Sequence, residues 1–421
     1  MQKISTVGQH CCSLHGMIRC MSNFDGDIAV ILHSDTNCSN LICKKELAQE
    51  TISKYFCTNL TNNDIVTGNS IFKLEKCIRE ISVKIKPKAI IVLESCISNI
   101  IHDDVKGLLT RLQNNKNIKP VYRYNTNGLK FENPMSVIDE AASLFFEIFS
   151  KDPHKKENKS INILGFDLYK NKDAPETYNH TGYKTFISEL EKARIYTNSM
   201  IEPGCSIKEY EKAGNASLNV TFDKRIYKKL SSKFWHKYKI KTIEVPFPVG
   251  LKSSLKFIEQ ITHELELDYE KAISNLNNDI ARAQQLIYQT KPKLMKKNLI
   301  YNISSSLNFS VHNSAKEGLL MLDFFKELGM DMEIFLQGKP ESYQEYRNLL
   351  EELEIKEKLI IFGHCGDAYK HFPDEVCMVY GSPLLKEQAE EAGYIFFDYD
   401  SFLPGLNNIE SNIQKLVENV N

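Results

Sequence analysis

The sequence predicts an α/β protein: three tandem domains, each a mostly parallel sheet flanked by helices. Three observations carry this reading. Short runs such as DIAVILH (27–33) and AIIVLE (89–94) are almost wholly apolar. Strands covered on both faces of a parallel sheet read as such continuous runs, whereas half-exposed strands alternate. The runs are separated by longer helical patterns, which imply right-handed crossovers and a three-layer arrangement. Finally, a chain of 421 residues exceeds what one typical core supports, so two or three domains are expected.

Taken in order, residues 27–33 form the first strand. SDTNC then delivers Cys38, and SNLICKKELAQETISKYF reads as a helix. Residues 89–94 form a second strand, followed by Ser95, Cys96 and a helix over ISNIIHDDVKGLLTRL. A third strand lies near 119–123, and the polar run Ser150 to Ser160 reads as a linker. The second domain opens on INILGF, with a helix around 181–193 and strands near 195–200, 217–222 and 241–245. Pro246 to Val249 close the last of these, and a long helical stretch covers roughly 252–292. The third domain begins with NLIYNIS, then a helix over 314–328 and strands at MEIFL, KLIIFG, EVCMVYG and YIFFDYD. The expected boundaries are 1–155, 156–295 and 296–421, three Rossmann-like units in tandem.

Composition excludes several classes. Lys+Arg of 53 against Asp+Glu of 54 gives no general reason to expect nucleic-acid or membrane binding. No apolar run reaches the ~20 residues of a membrane span. The first residues, MQKISTVGQHCC, have no apolar signal core, so a cytoplasmic location is expected. In that reducing setting the 11 cysteines are not expected to pair as disulfides.

Cys38 and Cys96 each follow a predicted buried strand where a helix begins, and Cys12 precedes the first apolar helical stretch. Ligands of open α/β sheets bind outside the carboxyl ends of the strands. A helix N-terminus there favours a thiolate, the form that ligates metal. Three thiolates at one rim make an iron–sulfur ligand set. Cys11 is an alternative to Cys12. Cys20, Cys43, Cys57 and Cys77, in or beside apolar stretches, read instead as buried small apolar side chains.

The stretches CSLHG (Cys12 to Gly16), HSDTNC (His33 to Cys38) and SCISNIIHDD (Ser95 to Asp104) also carry a family resemblance. They resemble the cluster-binding region of nitrogenase component 1 subunits: a cysteine followed by a glycine, then H-G-x-x-G-C, then T-C-x-x-x-x-I-G-D-D. The spacings, 38 − 12 = 26 and 96 − 38 = 58, fit that family. Gly16 favours Cys12 over Cys11. NLTNNDIVTGN (Asn59 to Asn69), INILGFD, PFPVG and AKEGLLMLDFFKELGMD resemble further family segments in the same order. His102 and Asn37 stand where the family pattern has glycines, bringing larger polar side chains near the cluster.

The resemblance implies a subunit of a nitrogenase-like oxidoreductase. Cys12, Cys38 and Cys96 would hold part of an iron–sulfur cluster, four-iron (4Fe-4S) or of a larger eight-iron type, shared with a homologous component 1 subunit. A heterotetramer, two copies of this chain and two of a homologue, is the expected unit, with a homodimer, which also supplies six cysteines, as its competitor. An ATP-dependent iron-protein reductase would supply electrons, relayed to a small-molecule substrate. The catalytic residues are not named by the sequence.

Two departures narrow this. The segments Ala216 to Arg225 and Tyr394 to Asn408 lack the cysteine and histidine that hold the metal cofactor in catalytic nitrogenase subunits. The resemblance therefore points to the partner subunit or to a relative. The relatives include tetrapyrrole reductases and scaffolds on which a nitrogenase-type cofactor is built. No G-x-x-x-x-G-K-[ST] loop is present, so nucleotide hydrolysis by this chain is not expected. GHCGD (Gly363 to Asp367) reads first as a polar strand-to-helix turn, with His364 and Cys365 as alternative ligands. Cys205 reads as a helix-start residue. Asp103 and Asp104 read as helical residues that favour an N-terminal region or contact another subunit.

Overall fold

The computed structural model describes residues 13–21, 27–40, 54–126, 135–153, 157–165, 181–201, 205–224, 226–295, 298–304, 321–337, 343–352, 356, 358–362, 372, 376–381, 386–398 and 401–420. The described strands form three sheets, every one parallel throughout. The chain divides into two compact units, one mainly of residues up to Ser150 and the other mainly from Lys151 onward.

The first unit holds β1 (Ile28–His33), β2 (Tyr55–Cys57), β3 (Ala89–Glu94) and β4 (Val121–Asn125) in the order β2-β1-β3-β4. Every residue of β1 and β3 is buried, and apart from His33 and Glu94 at their ends both read as continuous apolar runs. Ala29, Ile31, Ile90 and Val92 pack against Leu74 and Ile78 of the helix Ser70–Lys84 and against Leu108 and Leu112 of the helix Val105–Gln113. Each such aliphatic side chain contributes ~1.5–3 kcal/mol on burial. The strand order reverses between β1 and β3, so the loops leaving these two strands flank the topological switch point.

The second unit carries two sheets. One is β6-β5-β7-β8, from β5 (Ser160–Leu164), β6 (Tyr196–Ile201), β7 (Leu218–Thr221) and β8 (Lys241–Glu244). The other is β11-β10-β9-β12-β13, from β9 (Asn298–Ser304), β10 (Asp331–Gln337), β11 (Lys358–Phe362), β12 (Val376–Gly381) and β13 (Ile395–Asp398). One apolar core runs through both, from Ile161 to Leu416, with Phe222, Phe257, Phe324, Phe325 and Phe402 at its centre.

Three local expectations are corrected. The helix expected through Phe56 does not reach that far: Tyr55–Cys57 is a strand, paired with β1 from Val30↔Tyr55 to Leu32↔Cys57. The helix expected after Cys96 is two helices, Cys96–Ile100 and Val105–Gln113. His102, at φ 57°, turns the chain between them, and Asp104 caps the second through Gly107 N at 2.8 Å. The long stretch from 252 breaks into Leu251–Glu264, Tyr269–Asn275 and Asn277–Leu294. Glu266 at φ 53° ends the first, and Asp268 caps the second through Lys271 N at 3.1 Å.

Candidate functional site

Two of the predicted ligands, Cys38 and Cys96, follow the ends of β1 and β3. These strands pair in register from Ile28↔Ala89 to His33↔Glu94, so their terminal residues sit side by side. Ser95 joins the two exits: its amide donates to His33 O at 3.2 Å and its hydroxyl to the same oxygen at 2.7 Å.

From β1 the chain enters a helical turn at 36–40. Asp35 caps it, accepting from Asn37 N at 2.8 Å and Cys38 N at 3.0 Å. Two amides of this turn are thus satisfied by a carboxylate. From β3, Ser95 leads into the helix Cys96–Ile100 and makes no side-chain cap. Cys38 and Cys96 are each half-buried. Cys12, Cys11 and the GHCGD segment lie outside the described residues. Ser13, next to Cys12 in the chain, donates to Thr126 O at 2.6 Å, and Thr126 N donates to Glu94 O at 3.1 Å. Ser13 is thereby tied to the same rim.

A buried polar layer lies under this rim. His33 is fully buried, with Nε2 2.9 Å from Asp103 Oδ2 and Nδ1 3.2 Å from Thr58 Oγ1. Ser70 Oγ donates to Asp103 Oδ1 at 2.5 Å. Asp103 therefore faces inward from the turn between two helices, a role sequence reading missed. Beside it, burial pushes the Glu94 carboxyl above its ordinary range, against the pull of Arg123 at 3.0 Å. The segment after β2 is held by a capping box between Thr61 and Asp64. Lys73 at 2.6 Å from Asp64 holds that carboxyl down at about 2.

The other described cysteines divide. Cys20 and Cys205 are buried, and burial pushes the Cys77 thiol up to about 11, as suits packing cysteines. Cys57 differs from the apolar reading. It ends β2 on the same rim, accepts from Asn59 N at 3.2 Å and lies 2.7 Å from Ser39 Oγ. Asn37 and His102, the two replacements for family glycines, are exposed. The left-handed backbone at His102 explains the family's glycine there, since a side chain in that conformation costs ~1–2 kcal/mol.

The donor chemistry fits an iron–sulfur group better than a lone hard cation. Two half-buried cysteines follow adjacent strands at one rim, and thiolates select soft iron–sulfur centres. Among the described residues no group of three or more His, Cys, Asp or Glu forms a cage for a single ion.

The model of the family described as nitrogenase component 1 type oxidoreductase matches residues 12–370, and the chain belongs to that family. Among curated proteins, the nitrogenase iron-molybdenum cofactor biosynthesis protein NifE of Methanococcus maripaludis is 25% identical over 342 residues. That match covers 76% of this chain and 64% of the relative, so the chain spans under two thirds of that protein. NifE of Sinorhizobium fredii is 35% identical over 111 residues, 26% of this chain and 22% of the relative. The fold is similar to that of nitrogenase Cp1 at pH 6.5, with a TM-score of 0.70 and 14% identity, covering 98% of this chain and 92% of that one. Nitrogenase Cp1 at pH 5 gives a TM-score of 0.68 at 18% identity, covering 98% and 88%. Among the described residues no helix is long and apolar enough to cross a membrane.

Proposed function

We propose that this chain is a cluster-carrying subunit of a component 1-type complex, working as a scaffold on which a nitrogenase-type metal cofactor is assembled. Cys38 and Cys96, with Cys12, would hold an iron–sulfur cluster, and a homologous chain would complete its ligands. The observation that carries this is the pair of thiols flanking the switch point of the first sheet. Similarity to two NifE proteins, named for cofactor biosynthesis, favours the scaffold role. When bound, such a cluster supplies one-electron transfer. The chain's own part is to present thiolates, to orient them through the polar layer beneath, and to bury that layer away from water.

Electron relay is the second reading, favoured by the oxidoreductase type of the family. There an ATP-dependent iron-protein reductase would deliver electrons through this subunit to a small-molecule substrate.

Anaerobic co-expression of the chain with its genomic neighbours tests both. Iron and sulfide are measured in the native complex and in Cys38→Ala and Cys96→Ala. Loss of most iron in either variant is expected, because a missing thiolate opens the site; unchanged iron in both sinks the ligand assignment. Transfer of a molybdenum- and iron-containing cofactor to a cofactor-free acceptor separates the scaffold from the relay. A complex that transfers nothing, yet reduces a small molecule with the reductase and ATP, refutes the scaffold role.

A further inference from the structure

The polar layer under the rim links the two cysteine loops more directly than the sheet alone does. His33 precedes Cys38 by 38 − 33 = 5 residues, and Asp103 follows Cys96 by 103 − 96 = 7. The left-handed turn at His102 folds the chain back, with Asp103 N donating to Ser98 O at 3.0 Å. This aims the Asp103 carboxylate at the end of β1, where its side chain is only 8% exposed and meets a fully buried imidazole.

We propose that His33 and Asp103 are positioning residues, a clamp that holds the Cys38 and Cys96 loops in one geometry before any metal arrives. The inference rests on the reading of those cysteines as ligands. Its physical basis is satisfaction of buried groups. A buried carboxylate or imidazole left alone is costly, so each holds the other in place. An ionised Asp103 only accepts, so His33 Nε2 carries the hydrogen and donates. Asp103 Oδ1 takes the Ser70 hydroxyl, which adds the start of the helix Ser70–Lys84 to the clamp. Thr58 completes the second ring nitrogen. Its hydroxyl can donate to Nδ1, or accept from it while turning its own proton to Leu32 O at 3.4 Å or Ser34 O at 3.3 Å. The clamp thus joins elements that are 103 − 33 = 70 residues apart in the chain.

The test uses the full chain with Asp103→Ala and Asp103→Asn, reading amide hydrogen exchange without metal and chelator-driven iron loss after loading. The clamp predicts that Asp103→Ala speeds exchange in residues 34–40 at least tenfold, leaves the β5–β8 sheet unchanged, and strips iron at least tenfold faster. Asp103→Asn keeps an acceptor for Ser70 and can donate to Nε2, with Nδ1–H turning to Thr58. It should recover most of both effects. Wild-type exchange and wild-type iron loss in Asp103→Ala overturn the clamp, as does acceleration spread evenly over the whole first sheet. Cys38→Ala and Cys96→Ala run alongside. Iron lost from these while Asp103→Ala behaves as wild type refutes the clamp alone. Iron kept in both refutes the ligand reading, and the clamp with it.

Discussion

Glu189 is predicted to cost the second unit stability above neutral pH, and replacing it by glutamine should return that stability. Glu189 lies on the helix Thr181–Lys192 and is 1% exposed. Its Oε2 accepts from Asn407 N at 3.2 Å, while Oε1 has no hydrogen-bond partner among the described residues. Burial pushes this carboxyl from the usual 4.5 up to about 7, although the Leu406 and Asn407 amides pull it down. The folded chain therefore holds this proton more tightly than the unfolded chain does. Its contribution is most favourable below about 4.5, falls as pH rises through the window to about 7, and is flat beyond. A displacement of this size corresponds to about 3 kcal/mol at alkaline pH, at ~1.4 kcal/mol per unit. Glutamine keeps an oxygen for Asn407 N and removes the charge. Glu189→Gln should raise the unfolding temperature at pH 8 by on the order of 5 °C and leave it nearly unchanged at pH 4.5. Thermal unfolding of the metal-free chain at both pH values, wild type against variant, reads this directly. An equal fall at both would show that the ionised carboxylate stabilises the turn it caps, and the reasoning would be wrong.

Other perturbations probe separate parts. Gly250→Ala should destabilise the second unit by ~2 kcal/mol or more in urea, because Gly250 sits at φ 85° and a Cβ would stand 2.7 Å from Glu327 Oε2, the carboxylate that accepts from Leu251 N; a neutral result would mean the cap shifts freely. Asn162→Leu should cost ~2–4 kcal/mol: buried Asn162 donates to Ala213 O and Asn219 Oδ1 at 2.8 Å and accepts from Asn198 at 2.7 Å, so its loss strands polar groups on three sides. Unfolding curves that overlay wild type would contradict this. Cys11→Ala and Cys12→Ala should differ, with iron falling only in the second; the reverse outcome moves the ligand to Cys11.

The apolar runs determined the strands and the parallel class. A strand buried on both faces is mostly apolar wherever the chain travels next, so β1 and β3 are legible without partners. The order of motifs was likewise enough for the family, now matched over residues 12–370. The position of Cys38 and Cys96 just after strand ends was legible because the strands are, and ligands of open sheets bind at such ends. Tertiary structure decided what depends on contact between distant segments. Tyr55–Cys57 is too short to announce itself as a strand, and its state follows from pairing with β1. The break at His102 spends a left-handed residue to turn Asp103 onto His33, and no local pattern records that exchange. Glu327 caps the helix Leu251–Glu264 from 327 − 251 = 76 residues away, at a glycine that has no side chain to cap with. Local propensity acts over one or two turns of chain, while burial of an imidazole or a carboxylate is satisfied only by whatever the fold brings beside it.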